Sequence, residues 1–465
     1  MKKLYIFIAL FLTSGIAFAQ SDADVLRFSR TLPLGTARSA AMSGAFGALG
    51  GDISTLNVNP AGIGVFRKSE VSMTLSPDFG NTKSGGQTAH DNSFQLGDIG
   101  FVISLYNPNF DWKGINFGIN YTNMNNFNRH TTQAIPNAPN SFSQYLAQDI
   151  NGLIAYVLNQ NPTANLEDYF NDLQWMGIQS NYILSDNENK DNPYYEPAII
   201  GANQTKIIKE DGYQGEYAFS FGTNYKDKLY LGITIGLQNI YYKMRSLYTE
   251  TPDQDNPYEL EYFNFEERLK TTGVGTNFKF GVIYRPIPEL RLGATIHTPT
   301  YYSMTDTYDS GMLTKYKFPV NGVTEYPSST SYKYDYDLKT PWKAILSVAG
   351  VIQQKAILSF DYEYVNYSSA RLKNGIDGYD YYEPDGSGVN NLIKEYLRST
   401  HNFRLGAEYR INSMVSVRGG YSFYASPYKD NKDLNKIQTL SCGFGLNFGQ
   451  FYCDAAYAVS YTHLT

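Results

Sequence analysis

The stretch Leu229-Tyr230-Leu231-Gly232-Ile233-Thr234-Ile235-Gly236-Leu237-Gln238 decides the fold. Leu229, Leu231, Ile233, Ile235 and Leu237 fall on one face of an extended chain. Tyr230, Gly232, Thr234, Gly236 and Gln238 fall on the other. Strict alternation over this length marks a two-faced strand, because successive side chains of a strand point to opposite sides. The pattern recurs along the chain. Ile115, Phe117, Ile119 and Tyr121 alternate with Asn116, Gly118, Asn120 and Thr122; Phe403, Leu405, Ala407 and Tyr409 alternate with Asn402, Arg404, Gly406 and Glu408. Leu440, Cys442, Phe444, Leu446 and Phe448 alternate with Ser441, Gly443, Gly445 and Asn447.

A soluble sandwich also uses two-faced strands, with the apolar faces packed together. Three features favour a membrane barrel. The segments often exceed ten residues, whereas strands of soluble proteins are mostly about five or six. The polar face carries Gly, Asn, Thr and Ser and few long charges. The connections alternate between tight and long. The alternation predicts strands near 66–79, 94–107, 114–127, 213–225, 228–244, 272–284, 290–302, 331–352, 356–367, 400–411, 414–424, 437–448 and 451–459. Tight turns fall at Asn412-Ser413, Gln353-Gln354-Lys355 and 285–289; long connections are expected at 80–93, 128–212, 245–271, 303–330, 368–399 and 425–436. The 41 Tyr and 27 Phe suit strands and interfacial girdles. The expected fold class is all-β: a transmembrane antiparallel β-barrel of about 14 strands, since bacterial single-chain barrels have even numbers. Thirteen are counted, and a fourteenth is expected beyond the last residues, Val459-Ser-Tyr-Thr-His-Leu-Thr465.

The N-terminus gives the compartment. Lys2 and Lys3 precede the apolar run from Leu4 to Leu12, and Ala17-Phe18-Ala19 supplies a small-x-small cleavage site. This reads as a signal peptide, residues 1–19. The run is short for a spanning helix, which needs roughly 20 apolar residues. Residues 20–65 are rich in Gly, Ala and Ser and suit a confined space, as an N-terminal plug inside the barrel of 66–465. A net charge of −6 and the lack of a basic run argue against nucleic acid. Cys442 and Cys453, on neighbouring strands but out of register, are expected to be unbonded.

Asp52-Ile-Ser-Thr-Leu-Asn-Val-Asn59-Pro60-Ala61-Gly62, after its Gly/Ala-rich lead, resembles the N-terminal signature of the FadL/TodX family of outer-membrane transporters. The hairpin Tyr284-Arg-Pro286 to Leu290-Arg-Leu-Gly-Ala294, and Phe403-Arg-Leu-Gly-Ala-Glu-Tyr-Arg410, resemble hairpins of that family. The resemblance covers almost the whole mature chain. It implies a fourteen-stranded barrel in the cell outer membrane with a luminal hatch. It implies passive uptake of long-chain fatty acids or aromatic hydrocarbons, with Asn59, Pro60, Ala61 and Gly62 as the hatch motif. Related barrels serve protein secretion or surface attachment, and others carry a haemin-receptor label. A secretion or attachment component is therefore the alternative function.

Within 128–212, Phe142, Leu146, Ile150, Leu153 and Val157 share one helical face, and Leu166, Tyr169, Phe170, Leu173 and Met176 a second. Long structured loops are usually functional. Two readings stand: a hydrophobic landing groove, as the resemblance implies, or two helices burying their faces on each other and on the barrel mouth. Arg404 and Arg418 face inward and could pair with a ligand carboxylate. One allowed register sets Glu408 opposite Arg418, which makes a luminal ion-pair network the plainer reading. The five histidines are scattered and the Asp186–Asp191 run lacks the calcium-loop Gly and Glu, so no metal and no cofactor is expected. Without a Gly-x-Ser-x-Gly elbow or comparable constellation, no enzymatic activity is expected. The expected partners are a hydrophobic small-molecule ligand and outer-membrane lipid, with the chain a monomer.

Overall fold

The computed structural model describes residues 21–33, 35–161, 164–186, 194–199, 201–252, 259–320, 323–373 and 388–462. The signal segment 1–19 and most of the Asp186–Asp191 run lie outside them. The strands are β1 (Glu70–Ser84), β2 (Gln87–Tyr106), β3 (Trp112–Asn126), β4 (Arg129–Ala138), β5 (Ile183–Asp186), β6 (Tyr194–Pro197), β7 (Ala202–Tyr225), β8 (Leu229–Pro252), β9 (Leu260–Ile287) and β10 (Leu290–His297). They continue as β11 (Tyr301–Val320), β12 (Val323–Lys339), β13 (Lys343–Ile352), β14 (Ala356–Asn366), β15 (Arg371–Lys373), β16 (Ser399–Arg410), β17 (Val415–Tyr424), β18 (Ile437–Asn447) and β19 (Tyr452–Thr462). The helices are α1 (Asp22–Ser29), α2 (Ala37–Ala41), α3 (Thr55–Val58), α4 (Phe142–Gln160), α5 (Asp172–Gln179) and α6 (Val389–Tyr396).

Seventeen strands form one antiparallel sheet, and β5–β6 form a separate ribbon. β4 continues β3 along β7, β11 continues β10 along β9, and the same holds for β12 with β13 and for β14 with β15. With those four continuations merged, the wall has thirteen staves, in the order read from the sequence. Among the described residues β1 pairs only with β2 and β19 only with β18. Their starting ends meet where Tyr452 Oη donates to Glu70 Oε1 at 2.9 Å. The sheet thus curls into a ring: a barrel.

The alternation becomes an inside-out distribution. On β8, Leu231, Ile233, Ile235 and Leu237 point outward and are 38–48 % exposed, while Tyr230, Thr234 and Gln238 point inward and are buried. Opposite them on β9 stand Phe280 and Phe278, also outward. The nine residues from Leu229 to Leu237 span about 27 Å at about 3.4 Å per step, close to the apolar band of a membrane barrel. Aromatic rings flank this belt. Trp112 and Tyr225 pair at 5.0 Å at the short-turn end; Tyr121 and Tyr217 at 5.0 Å, and Tyr213 and Tyr241 at 6.2 Å, lie at the other.

The wall rises further than the alternation predicts. Residues 80–93 are not a loop but the end of a hairpin turning at Gly85-Gly86. Most of 245–271 and 303–330 is strand too, paired from Arg245↔Arg268 to Glu250↔Phe263 and from Asp309↔Ser331 to Lys315↔Glu325. Above the belt the outer face turns polar, so the contrast that reveals a strand fades. The second helix expected over 166–176 is split into a 3-10 turn, Leu166–Tyr169, and α5, because Asn171 caps α5 with Gln174 in a reciprocal box.

Cys442 faces Tyr457 and Cys453 faces Leu446 across β18–β19; both thiols are free and exposed. Denaturation in detergent without reductant should leave both reactive to a maleimide, read as two added labels by mass spectrometry. A protected pair would contradict this register.

Candidate functional site

Residues 35–66 pass inside the ring of strands with only short helical turns, Ala37–Ala41, Thr55–Val58 and Pro60–Val65. Their backbone must nevertheless be satisfied, since a buried unpaired amide or carbonyl costs as much as a lost hydrogen bond. Asn59 does three things at once. Its Oδ1 accepts from Ala61 N at 3.1 Å, capping the 3-10 turn Pro60–Val65. Its Nδ2 donates to Gly47 O at 2.6 Å and to Val282 O of β9 at 3.3 Å. Pro60, Ala61 and Gly62 are buried behind it. Gly232 and Gly281 sit at inward positions where a Cβ would collide with the Pro60 carbonyl and with Asn59 Oδ1. These wall glycines are the seat for the motif, a role that their place on the polar face did not disclose.

The wall's polar side chains supply the remaining partners. Asn116 Nδ2 donates to Ile63 O at 2.6 Å and Phe66 O at 2.9 Å; Ser441 Oγ donates to Ala41 O at 2.9 Å; Thr234 Oγ1 donates to Leu56 O at 3.2 Å. Asp361 accepts from Gly47 N at 3.1 Å, and His297 Nε2 lies 2.9 Å from Val58 O. Asn57 Nδ2 donates to Glu216 at 2.7 Å, and Glu216 also pairs with the buried Lys279.

Arg404 and Arg418 both lie in this interior, as read from the sequence, and both are committed to carboxylates. Arg404 pairs with Glu363 at 3.1 Å and Asp361 at 3.6 Å. Arg418 lies opposite Glu408 and pairs with it at 2.8 Å and with Asp454 at 2.7 Å. Arg38 of α2 reaches Glu408 from the N-terminal segment at 2.9 Å. Two cations that sequence reasoning passed over are less committed. Arg30 donates to Asn435 O, and Lys343 Nζ to Thr31 Oγ1 at 2.8 Å; among the described residues neither forms an ion pair. Burial depresses the Arg30 guanidinium below its ordinary value.

Above this polar layer the interior is apolar. α1 places Val25, Leu26 and Phe28 against Phe127, Tyr242, Tyr302, Met304 and Leu338 of the wall and against Val389, Ile393 and Leu397 of α6 and its exit. Ser21 and Asp24 cap α1 reciprocally, a Ser-x-x-Asp signal present in the sequence. Arg27 holds the helix to the wall, 4.4 Å over the Tyr242 ring and 3.7 Å from Glu210.

A cap closes the long-connection end. Phe142, Leu146, Ile150 and Val157 of α4 are buried, while Leu153 is half-buried. Phe142, Leu146 and Ile150 pack with Met176, Tyr182, Tyr195 and the strand extensions Tyr248, Phe263 and Phe265. Phe170, half-buried, stands 6.1 Å from Trp175 and 6.2 Å from Tyr195. The apolar face of α4 is thus turned inward onto packed neighbours. Glu250, well past the belt, anchors it: the carboxylate accepts from Phe142 N at 2.8 Å, Gln204 Nε2 at 3.0 Å and the Tyr182 and Tyr248 hydroxyls. Burial raises this carboxyl, and burial beside it pushes the Tyr182 phenol well above its ordinary value.

No protein-family model matches the chain, and no curated protein matches it in sequence. Solved structures do match. A Pseudomonas aeruginosa FadL homologue is 14% identical, covering 94% of this chain and 91% of its own, with a TM-score of 0.51. The P. putida toluene transporter TodX is 12% identical, covering 91% of each chain, with a TM-score of 0.50. The fold is that of the FadL-type channels. A TodX monoaromatic hydrocarbon channel variant, deltaS2S3, gives a TM-score of 0.51 at 13% identity over 91% of this chain and 92% of its own. At such identities the likeness is one of fold, and the FadL-type barrel is reached with little shared sequence.

Two substitutions probe the interior. Gly232→Leu should unseat the Pro60 turn, at a cost of about 1–3 kcal/mol for overpacking. It should make residues 35–66 sensitive to protease while heat-modifiable mobility shows an intact barrel. Gly350→Leu, where a Cβ meets nothing, should leave the segment protected. Glu408→Gln should cost about 1–3 kcal/mol, because it takes the carboxylate partner from the half-buried Arg38 and leaves Arg418 with Asp454 alone. Equal resistance of Gly232→Leu and the parent protein would refute the seat.

Proposed function

We propose that the chain is an outer-membrane channel for passive uptake of hydrophobic small molecules, long-chain fatty acids or aromatic hydrocarbons. Its domains on this reading are a signal peptide (1–19), a luminal hatch (20–65) and the barrel (66–465). The observation that carries the proposal is the apolar cluster around Phe28, Tyr302, Leu338 and Ile393 inside the ring of strands. A channel for polar solutes needs a wetted, polar lining. Here the upper interior and the cap above it are filled largely with aliphatic and aromatic side chains, with the Arg27–Glu210 pair and Glu250 among them. A hydrophobic solute entering such a lining gains roughly 25 cal/mol per Å² of apolar surface buried. The outward belt supports membrane residence, and the FadL-type fold supports the same class of cargo.

On this reading the short turns face the periplasm and α4 and α5 face outward. The helix faces at Phe142, Leu146, Ile150, Leu153, Val157 and Phe170 act by holding the cap over the entry. Arg404 and Arg418 neutralise Asp361 and Glu408, the wall carboxylates that hold the hatch through Gly47 and Arg38, and Arg30 and Lys343 are the better candidates to meet a carboxylate head group. α1 occupies the passage between cap and hatch, so flux requires it to shift.

Purified protein in liposomes should speed transfer of a fluorescent long-chain fatty acid or of toluene between vesicles while adding little ion conductance. Leu338→Lys or Ile393→Lys should slow transfer by roughly tenfold or more, equivalent to about 1.4 kcal/mol in barrier, with barrel mobility on gels unchanged. Conductance without hydrophobe transfer would overturn the proposal. No transfer of any hydrophobe by the inserted protein would favour an interaction barrel instead.

A further inference from the structure

Just above the Tyr213–Tyr241 aromatic pair, the outward positions of the wall turn basic. Lys243 stands directly opposite Lys270, and Arg245 opposite Arg268, on β8 and β9. Lys209 of β7 stands opposite Arg245. All five side chains are exposed. Like charges directly opposite one another destabilise a sheet. The same face carries Asp211 opposite Lys243, Asp309 opposite Arg268, and Glu266, which bridges Arg268 at 2.8 Å and also Arg245. Five cations face three carboxylates, and among the described residues Lys243 and Lys270 have no ion pair.

A furrow leads up to this cluster. Two adjoining concavities of about 700 and 600 Å3 share Asn239, Val274, Ser303 and Asp337. The lower is bounded by the exposed Tyr217, Leu237, Val274 and Tyr301 of the apolar belt. The upper ends at Tyr241 and Thr272, the outward positions next to Lys243 and Lys270. Its far rim carries Asp335 and Asp337, with Lys333, Lys339 and Lys373 at neighbouring positions of β12 and β15. The wall is interrupted beside the furrow, at 298–300 and 340–342, where Pro299 and Pro341 bring no N–H to the ladder.

We propose that this furrow binds a lipid whose headgroup carries two phosphates, the phosphorylated glycolipid of the outer leaflet. The proposal rests on the membrane-barrel reading above. Acyl chains lie along Leu237, Val274 and Tyr301, and the phosphates meet Lys243, Lys270, Arg245 and Arg268. The four cations occupy two strands, about 4.8 Å apart, and two outward rungs, about 7 Å apart. Long Lys and Arg side chains splayed from that footprint widen it enough to meet phosphates at both ends of a disaccharide. The aromatic pair beneath them sets the headgroup at interface depth.

The test is native mass spectrometry of protein reconstituted in nanodiscs of neutral phospholipid doped with diphosphorylated lipid A or with phosphatidylglycerol. The parent should retain lipid A through detergent release. The variant K243Q/R245Q/R268Q/K270Q should retain it about tenfold less or weaker still. K226Q/K228Q, at the short-turn end, should behave as the parent. Equal retention by parent and quadruple variant, or a preference for phosphatidylglycerol, overturns the proposal. Heat-modifiable mobility and a detergent belt report insertion separately. Loss of both overturns the membrane reading itself, whereas insertion without lipid A retention overturns only this inference.

Discussion

The structure depends on one exchange: an irregular segment buried inside a ring of strands has its backbone satisfied by the side chains of the ring. Helices and sheets meet this need internally, but residues 35–66 have only the short helices Ala37–Ala41 and Thr55–Val58 and the 3-10 turn Pro60–Val65. The wall therefore turns Asn116, Thr234, Ser441, Asp361 and His297 inward, each within hydrogen-bond distance of a main-chain group of the segment. Where no side chain fits, glycines at Gly232 and Gly281 let the backbone approach. The polar inner face of the strands is thus a set of partners for one inserted segment.

The same exchange divides the interior. Below, charge is neutralised in place by Arg38–Glu408–Arg418–Asp454 and Lys279–Glu216. The desolvation of buried ion pairs of this kind offsets much of their mutual attraction, so breaking one costs more than forming it gains. Above, α1 and α6 fill the ring with apolar side chains, and α4 continues that surface into the cap. The proposed path for hydrophobic solutes rests on this division into a polar floor and an apolar upper interior.

Much of this could be read in the sequence, for definite reasons. Leu229–Gln238 and its relatives announce strands because lipid-like surroundings outside and a polar partner inside keep the two faces chemically distinct. Above the belt that distinction is lost: Arg245 and Glu266 point outward, and strands there escape the alternation. Register placed Glu408 opposite Arg418, but nothing local could reveal that Arg38, hundreds of residues away, shares the same carboxylate. Asn59 was marked by its neighbours Pro60, Ala61 and Gly62, whereas its hold on Val282 depends on the folded ring. The break between Tyr169 and Asp172 was signalled by Asn171 and Gln174 and outweighed by the apolar periodicity around it.

Amide hydrogen exchange of residues 35–66 in the folded, membrane-embedded protein tests the central claim most directly. If the segment is held inside the ring, Gly47 N on Asp361 of the wall, and Ala61 N and Phe66 N on their partners within the segment, should exchange as slowly as the amides of Leu229–Gln238, with protection lasting hours. Exchange at the rate of an unstructured peptide, beside a fully protected barrel, would show that the segment is not held inside the ring and would contradict the account.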